Sequence, residues 1–161
     1  MSNKSEIKKL EQGRAEFAYR CAKEGVKIKS KNMIDGEYYE DRKYGSYVKK
    51  IHTMILSNGL GQTLAFIVSK RKKDKKEKER ILKAGSVENP KNAYDLIYKQ
   101  LTEYLKSNTT ARIQMPADKT ELLEWVISCA TQEYRWITQE VLAFLNWLKR
   151  FAEGMIEEEE E

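Results

Sequence analysis

The sequence predicts an all-α protein, a single-domain helical bundle of about six helices. Three observations carry this prediction. Apolar residues recur at steps of three and four through most of the chain, whereas half-buried strands alternate every two residues. Only two prolines and eight glycines occur in 161 residues, and 34% of the residues are charged, a composition that suits long helices and not a disordered chain. No repeat at a fixed solenoid period is visible. A chain of this length buries a core of ordinary size as one domain, expected over residues 1–156. Residues 157–161 are five consecutive glutamates and are expected to form a disordered acidic tail.

The first helix is expected over about Lys4–Glu24, with Ile7, Leu10, Phe17, Ala18 and Cys21 on one face and Gly25 as its terminator. Val26–Asp41 is polar and reads as a loop. The second helix, about Tyr44–Ser57, aligns Tyr44, Tyr47, Val48, Ile51, Met54 and Ile55. There follows SNGLGQTLAFIVSKRKK, Ser57–Lys73, in which two glycines precede a burst of basic residues. A phosphate-binding loop needs a preceding strand and the spacing G-x-x-x-x-G-K-[ST]. Gly59 and Gly61 have neither. Asn58-Gly59 therefore reads as a helix C-terminus, because glycine takes positive φ without steric cost.

The third helix starts at Leu60 and turns Leu64, Ile67 and Val68 inward. The run KRKKDKKEKER then either extends it into solvent or forms a mobile arm. Asn89-Pro90 offers a start for the fourth helix, whose stripe is Tyr94, Ile97, Leu101, Tyr104 and Leu105. KSNTTARIQMPAD is a connector. Asp118 with Glu121 three residues later suggests a capping-box start for the fifth helix. The sixth, about Thr131–Glu153, buries Tyr134, Ile137, Val141, Phe144, Leu145 and Leu148. Trp136, Glu140, Ala143, Trp147 and Arg150 form a further stripe on this helix. It suits a partner surface, or the edge of the core, the commoner use of such tryptophans, where an indole N–H finds a partner.

The net charge is +5, and because the glutamate run carries −5, the first 156 residues carry +10. A body that basic attracts polyanions, of which nucleic acid is the commonest. A lysine-rich solvated surface is the competing explanation. The N-terminus lacks an apolar signal region and no run of eighteen apolar residues occurs, so a soluble, cytoplasmic protein is expected. Cys21 and Cys129 lie in apolar helical patterns and are expected to be reduced, buried thiols.

Candidate chemistry is sparse. One histidine, His52, occurs in the chain, too few for the usual zinc sets, so neither a metal nor another cofactor is expected. A general base needs a positioned partner, and the neighbours of His52 are lysines and a threonine. A helical ribonuclease with an Arg-x4–6-His signature needs arginine at 45–47, where Gly45, Ser46 and Tyr47 stand. Asp35, Glu37, Glu40 and Asp41 form an acidic group that reads as a solvated turn. No catalytic residue is expected.

Two stretches, YGSYVKKIHTMILSNGLGQTLAFIVSK and YRWITQEVLAFLNWLKRFAEGM, resemble the small α-helical subunit of type III-B CRISPR effector complexes, the fifth protein of the Cmr (RAMP module) set. The shared features are Asn58, Gly59, Leu60, Ala65 and Phe66, then Tyr134, Arg135, Glu140, Trp147, Leu148, Lys149, Arg150, Phe151 and Ala152. The segment QGRAEFAYRC, Gln12–Cys21, fits the family's opening helix. Val141-Leu142 departs from the commoner Ala-Leu, and the five-glutamate run lies outside the pattern.

The resemblance implies a non-enzymatic protein of antiviral defence. Such subunits stack on one another beside the large subunit and the backbone RAMP subunits, and help to form the groove for CRISPR RNA and target RNA. On this reading the side chains expected to face RNA are Arg14, Lys49, Lys50, Lys70, Arg71, Lys72 and Lys73, through phosphate contacts that carry no sequence information. Trp136, Glu140, Trp147 and Arg150 are the expected subunit interface. A helical adaptor with protein contacts alone is the alternative, and a small helical nuclease a more distant one.

Overall fold

The computed structural model describes residues 2–35, 43–71, 93–107 and 113–160. Within them the chain forms six helices, α1 (Ser2–Asp35), α2 (Tyr44–Asn58), α3 (Leu60–Lys70), α4 (Ala93–Lys106), α5 (Leu122–Ser128) and α6 (Thr131–Glu160), and no strand. The all-α expectation holds. Lys72 and Lys73, most of the charged run, Asn89-Pro90 and Glu37–Asp41 lie outside the described residues.

The two long helices, α1 and α6, pack against each other most extensively, and α2 covers a second side of α6. Phe17 of α1 inserts edge-on between Tyr104 and Phe144, with ring centroids 5.4 and 5.9 Å away. Tyr104 and Phe144 stack at 4.4 Å. The stripe expected on the last helix is buried as read, with Ile137, Val141, Phe144, Leu145 and Leu148 in the core. Tyr134, expected with them, is only half-buried and serves another purpose described below. The helix runs to Glu160, beyond the limit set by its apolar stripe.

Gly25 does not end α1, which continues as helix to Asp35 through most of the segment expected to be a loop. The glycine answers a packing need instead. A Cβ there would lie 2.5–2.7 Å from three ring carbons of Tyr44, so only a residue without one admits the ring. The Tyr44 hydroxyl donates to Gln100 Oε1 at 2.5 Å, and Gln100 Nε2 donates to the Cys21 carbonyl at 3.0 Å. One buried chain of hydrogen bonds thus joins α1, α2 and α4.

The junction of α2 and α3 is a single residue, Gly59, with φ 89° and ψ 162°. Positive φ was expected, but the ψ belongs to an extended region open essentially to glycine alone, not to the left-handed helical region. Its N–H donates to the Ile55 carbonyl at 2.9 Å and closes α2. Its own carbonyl accepts from the Thr63 N–H at 3.2 Å and from Thr63 Oγ1 at 2.8 Å, which opens α3. Tyr134 of α6 braces the corner by accepting the Gly61 N–H at 2.9 Å. A helix-to-helix turn, and no phosphate loop, occupies this stretch.

α4 is buried on almost every side, and its polar residues with it: Asp95, Tyr98, Gln100 and Tyr104. Buried polar groups need partners, and each of these finds one on a different element. Asp95 Oδ1 accepts from Arg71 Nε at 2.8 Å, at the end of α3. The Tyr98 hydroxyl donates to Glu121 and accepts the Leu123 N–H at 3.0 Å. The start of α5 is therefore capped from α4: Glu121 is the capping position and makes no side-chain cap bond, while Asp118, expected to begin the helix, precedes it. Gln100 reaches α1 and α2, as above, and Tyr104 donates to Glu140 of α6.

Both cysteines are free thiols. Cys21 is buried, and desolvation raises its pKa well above the usual thiol range. Cys129 is only half-buried and sits at the end of α5, not inside an apolar stripe. No described helix is long and apolar enough to cross a membrane.

Candidate functional site

The residues expected to face RNA separate into three environments. Arg14 is a correction. It is 9% exposed, and its guanidinium grips Glu140 with two prongs, Nε to Oε1 at 2.9 Å and Nη2 to Oε2 at 2.8 Å. Nη1 also reaches Glu11 at 3.0 Å. The bond to Glu140 raises the already high pKa of the guanidinium. Planar, bidentate pairing of this kind is the strong form of the ion pair, and it leaves Arg14 inside the protein.

Arg71 is partly buried. It pairs with Asp95 and lies over the Tyr98 ring, 4.2 Å from its centroid. Lys49 is exposed but forms an ion pair with Glu153, which ties α2 to α6.

Lys50 and Lys70 make the remaining described cluster. Both are exposed, and both ammonium groups approach the Phe66 ring, at 5.0 and 5.6 Å from its centroid. Phe66 is half-buried and meets Tyr94 edge-on at 5.7 Å. Tyr94 in turn stacks on Tyr47 at 4.1 Å. The local sequence explains the convergence. Lys50 occupies the outer face of α2, Lys70 is the last residue of α3, and the tight Gly59 junction folds one helix back beside the other. Two positive charges around a half-exposed aromatic ring have the chemistry to contact phosphates and to stack on a base.

The expected subunit interface also divides. Glu140 is 2% exposed and holds Arg14 and Tyr104, so it cannot meet a partner. Burial and this carboxylate push the Tyr104 hydroxyl far above the usual phenol range. Trp147 is half-buried, stacks on Phe151 at 5.7 Å and donates its indole N–H to Glu11 at 3.2 Å. That is the edge-of-core arrangement. Trp136, 51% exposed, and the exposed Arg150 remain on the surface.

Sequence reasoning missed two features of this surface. Leu56 and Ile127 are exposed large apolar side chains. Tyr19, off the apolar stripe of α1, is 45% exposed and meets Phe151 edge-on at 5.4 Å. An isolated tyrosine outside the periodic stripe was the available signal for Tyr19.

His52 is half-buried on α2. Desolvation and the nearby charge of Lys149 lower its pKa. Among the described residues no group of three His, Cys, Asp or Glu side chains is placed to hold a metal ion.

Two helices joined at Asn58-Gly59-Leu60, a long closing helix carrying Trp147–Ala152, and an opening helix locked to it agree with the comparison to known families. The sequence model of the family described as CRISPR-associated protein (Cas_Cmr5) matches residues 10–155, nearly the whole chain. The chain belongs to this family and is a small-subunit protein of the type III-B Cmr effector complex.

Proposed function

We propose that this protein is a non-catalytic subunit that stacks along the Cmr complex and contributes a basic surface to its guide and target RNA in antiviral defence. The observation that carries the reading is the Lys50–Phe66–Lys70 cluster, two exposed cations on one half-exposed ring at the α2–α3 corner. The +10 charge of the first 156 residues supports it. Phosphate contacts of this kind position a nucleic acid without reading its sequence. The reading without catalysis is supported by the single histidine of the chain, whose pKa is lowered by desolvation and by the nearby charge of Lys149. Cytoplasmic location follows from the same assembly.

A second reading, a protein-only adaptor, draws on the exposed Trp136, Leu56 and Ile127. Ultraviolet cross-linking in the assembled, RNA-loaded complex separates the two. The RNA-binding reading expects a nucleotide adduct on the peptide that carries Phe66. The adaptor reading expects none anywhere in this chain.

A further inference from the structure

Tyr19 has no place in the stripe that packs α1 into the core. Ala18, Cys21 and Ala22 are buried around it, yet Tyr19 is 45% exposed. Its ring is nevertheless held. It meets Phe151 of α6 edge-on at 5.4 Å, and Phe151 stacks on Trp147 at 5.7 Å. The three rings form one strip along the seam of α1 and α6, with Phe151 and Trp147 half-buried. The Trp147 end is fixed by Glu11, which accepts the indole N–H and also holds Arg14. Cations gather at the Tyr19 end. Lys23 lies over the Tyr19 ring at 5.4 Å, Arg20 is exposed over Phe17, and Arg150 is exposed beside Phe151 in sequence.

This strip is separate from the Lys50–Phe66–Lys70 cluster. Glu153, two residues beyond Phe151, pairs with Lys49 of α2. At about 3.6 residues per turn, two residues turn roughly 200° around a helix, so the strip points away from α2. Exposed rings beside exposed cations are the make-up of a single-strand site, where bases stack on the rings and the backbone phosphates meet the cations. In a duplex the faces of the bases are already covered, and only an unpaired stretch has faces to offer. The carboxylates of an acidic peptide would satisfy the cations but give the rings no planar partner.

We propose that the Tyr19–Phe151–Trp147 strip is a second nucleic-acid site, which takes unpaired bases of a single strand by stacking, with Arg20, Lys23 and Arg150 on the phosphates. Tyr19, the most open of the three rings, carries most of the stacking. Every base has a π face, so the strip accepts a strand of any sequence.

Fluorescence anisotropy of the full-length protein with a labelled oligouridylate tests the proposal, with duplex RNA of equal length beside it. Tyr19→Ala weakens binding of the single strand about tenfold and leaves the duplex unchanged. Tyr19→Phe, which keeps the ring, keeps the affinity. Lys23→Gln with Arg150→Gln flattens the slope of log affinity against log salt by about 1.4, about 0.7 for each lost contact. The Tyr19→Ala loss persists in a protein already carrying Lys50→Glu and Lys70→Glu, so a failure of the first surface leaves this one standing. Circular dichroism melts confirm that the variants are folded. Wild-type affinity in Tyr19→Ala, or equal loss of single strand and duplex, overturns the proposal. So does a Tyr19→Phe protein as weak as Tyr19→Ala, which would make the hydroxyl and not the ring face the contact. Unchanged oligouridylate binding with depletion of Tyr19→Ala from the assembled complex would make the strip a protein surface instead.

Discussion

Arg14 and Glu140, 126 residues apart in sequence, form a bidentate ion pair at the crossing of the first and last helices, with Tyr104 of α4 bonded to the same carboxylate. Three elements thus meet at one buried charge. Removing one member of a buried pair strands the other, at a cost of about 3–5 kcal/mol, whereas replacing both by apolar residues of similar volume is often nearly neutral. Arg14→Met alone is expected to lower stability by about that amount in denaturant melts. Arg14→Met with Glu140→Met is expected to recover most of the loss. A single variant that melts like wild type would remove the pair from the account of the fold.

This pair shows how far the sequence could be read. Arg14 interrupts a stripe made of Leu10, Phe17, Ala18 and Cys21, and Glu140 interrupts one made of Ile137, Val141 and Phe144. One lone charge on each of two apolar stripes is a legible sign of a buried pair, although Arg14 was assigned to RNA and Glu140 to an interface. The helical stripes and the Asn58-Gly59-Leu60 junction were legible because they are local patterns. The polar side of α4 was not. Asp95, Tyr98 and Gln100 lie off the stripe of Tyr94, Ile97, Leu101, Tyr104 and Leu105, and only their partners on other helices show that they are buried. Of the candidate RNA surface, the basic residues were visible, but the ring that joins Lys50 to Lys70 required the fold-back at Gly59.

Two helical glycines should respond in opposite directions to the same change. Gly154 has open space around the position of a Cβ, so Gly154→Ala is expected to stabilise the protein by about 0.5–1 kcal/mol. Gly25→Ala drives a methyl into the Tyr44 ring and disturbs its bond to Gln100. A loss of about 1–3 kcal/mol is expected there. If Gly25→Ala stabilised the protein as Gly154→Ala does, the close approach of Tyr44 would be wrong.

Gly59 is held by conformation more than by space. The φ of 89° is strained for any side chain, and the nearest atom to an added Cβ is the Tyr134 hydroxyl at 3.5 Å. Gly59→Val is expected to cost about 1–3 kcal/mol. Gly61→Ala, in the first turn of α3, should be mild. Equal melting of Gly59→Val and wild type would contradict the one-residue junction.

The two tryptophans of α6 are expected to separate stability from assembly. Trp136→Ser changes an exposed side chain and should leave stability within about 0.5 kcal/mol, while depleting the protein from the purified Cmr complex. Trp147→Ala removes a stacked, hydrogen-bonded indole and should lower the melting temperature of the isolated protein. A Trp136→Ser protein that assembles fully would remove the α6 surface from the interface.

The salt dependence of RNA binding by the assembled complex tests the central claim most directly. Complexes are reconstituted with wild type or with Lys50→Glu and Lys70→Glu together, and equal incorporation of the subunit is checked first. Each phosphate contact adds about 0.7 to the slope of log affinity against log salt for a single strand, so losing two flattens it by about 1.4. The account predicts that flattening, with weaker binding to unrelated RNA sequences alike. An unchanged slope with the variant fully incorporated would show that Lys50, Phe66 and Lys70 form a solvated face and that this subunit meets RNA elsewhere or not at all.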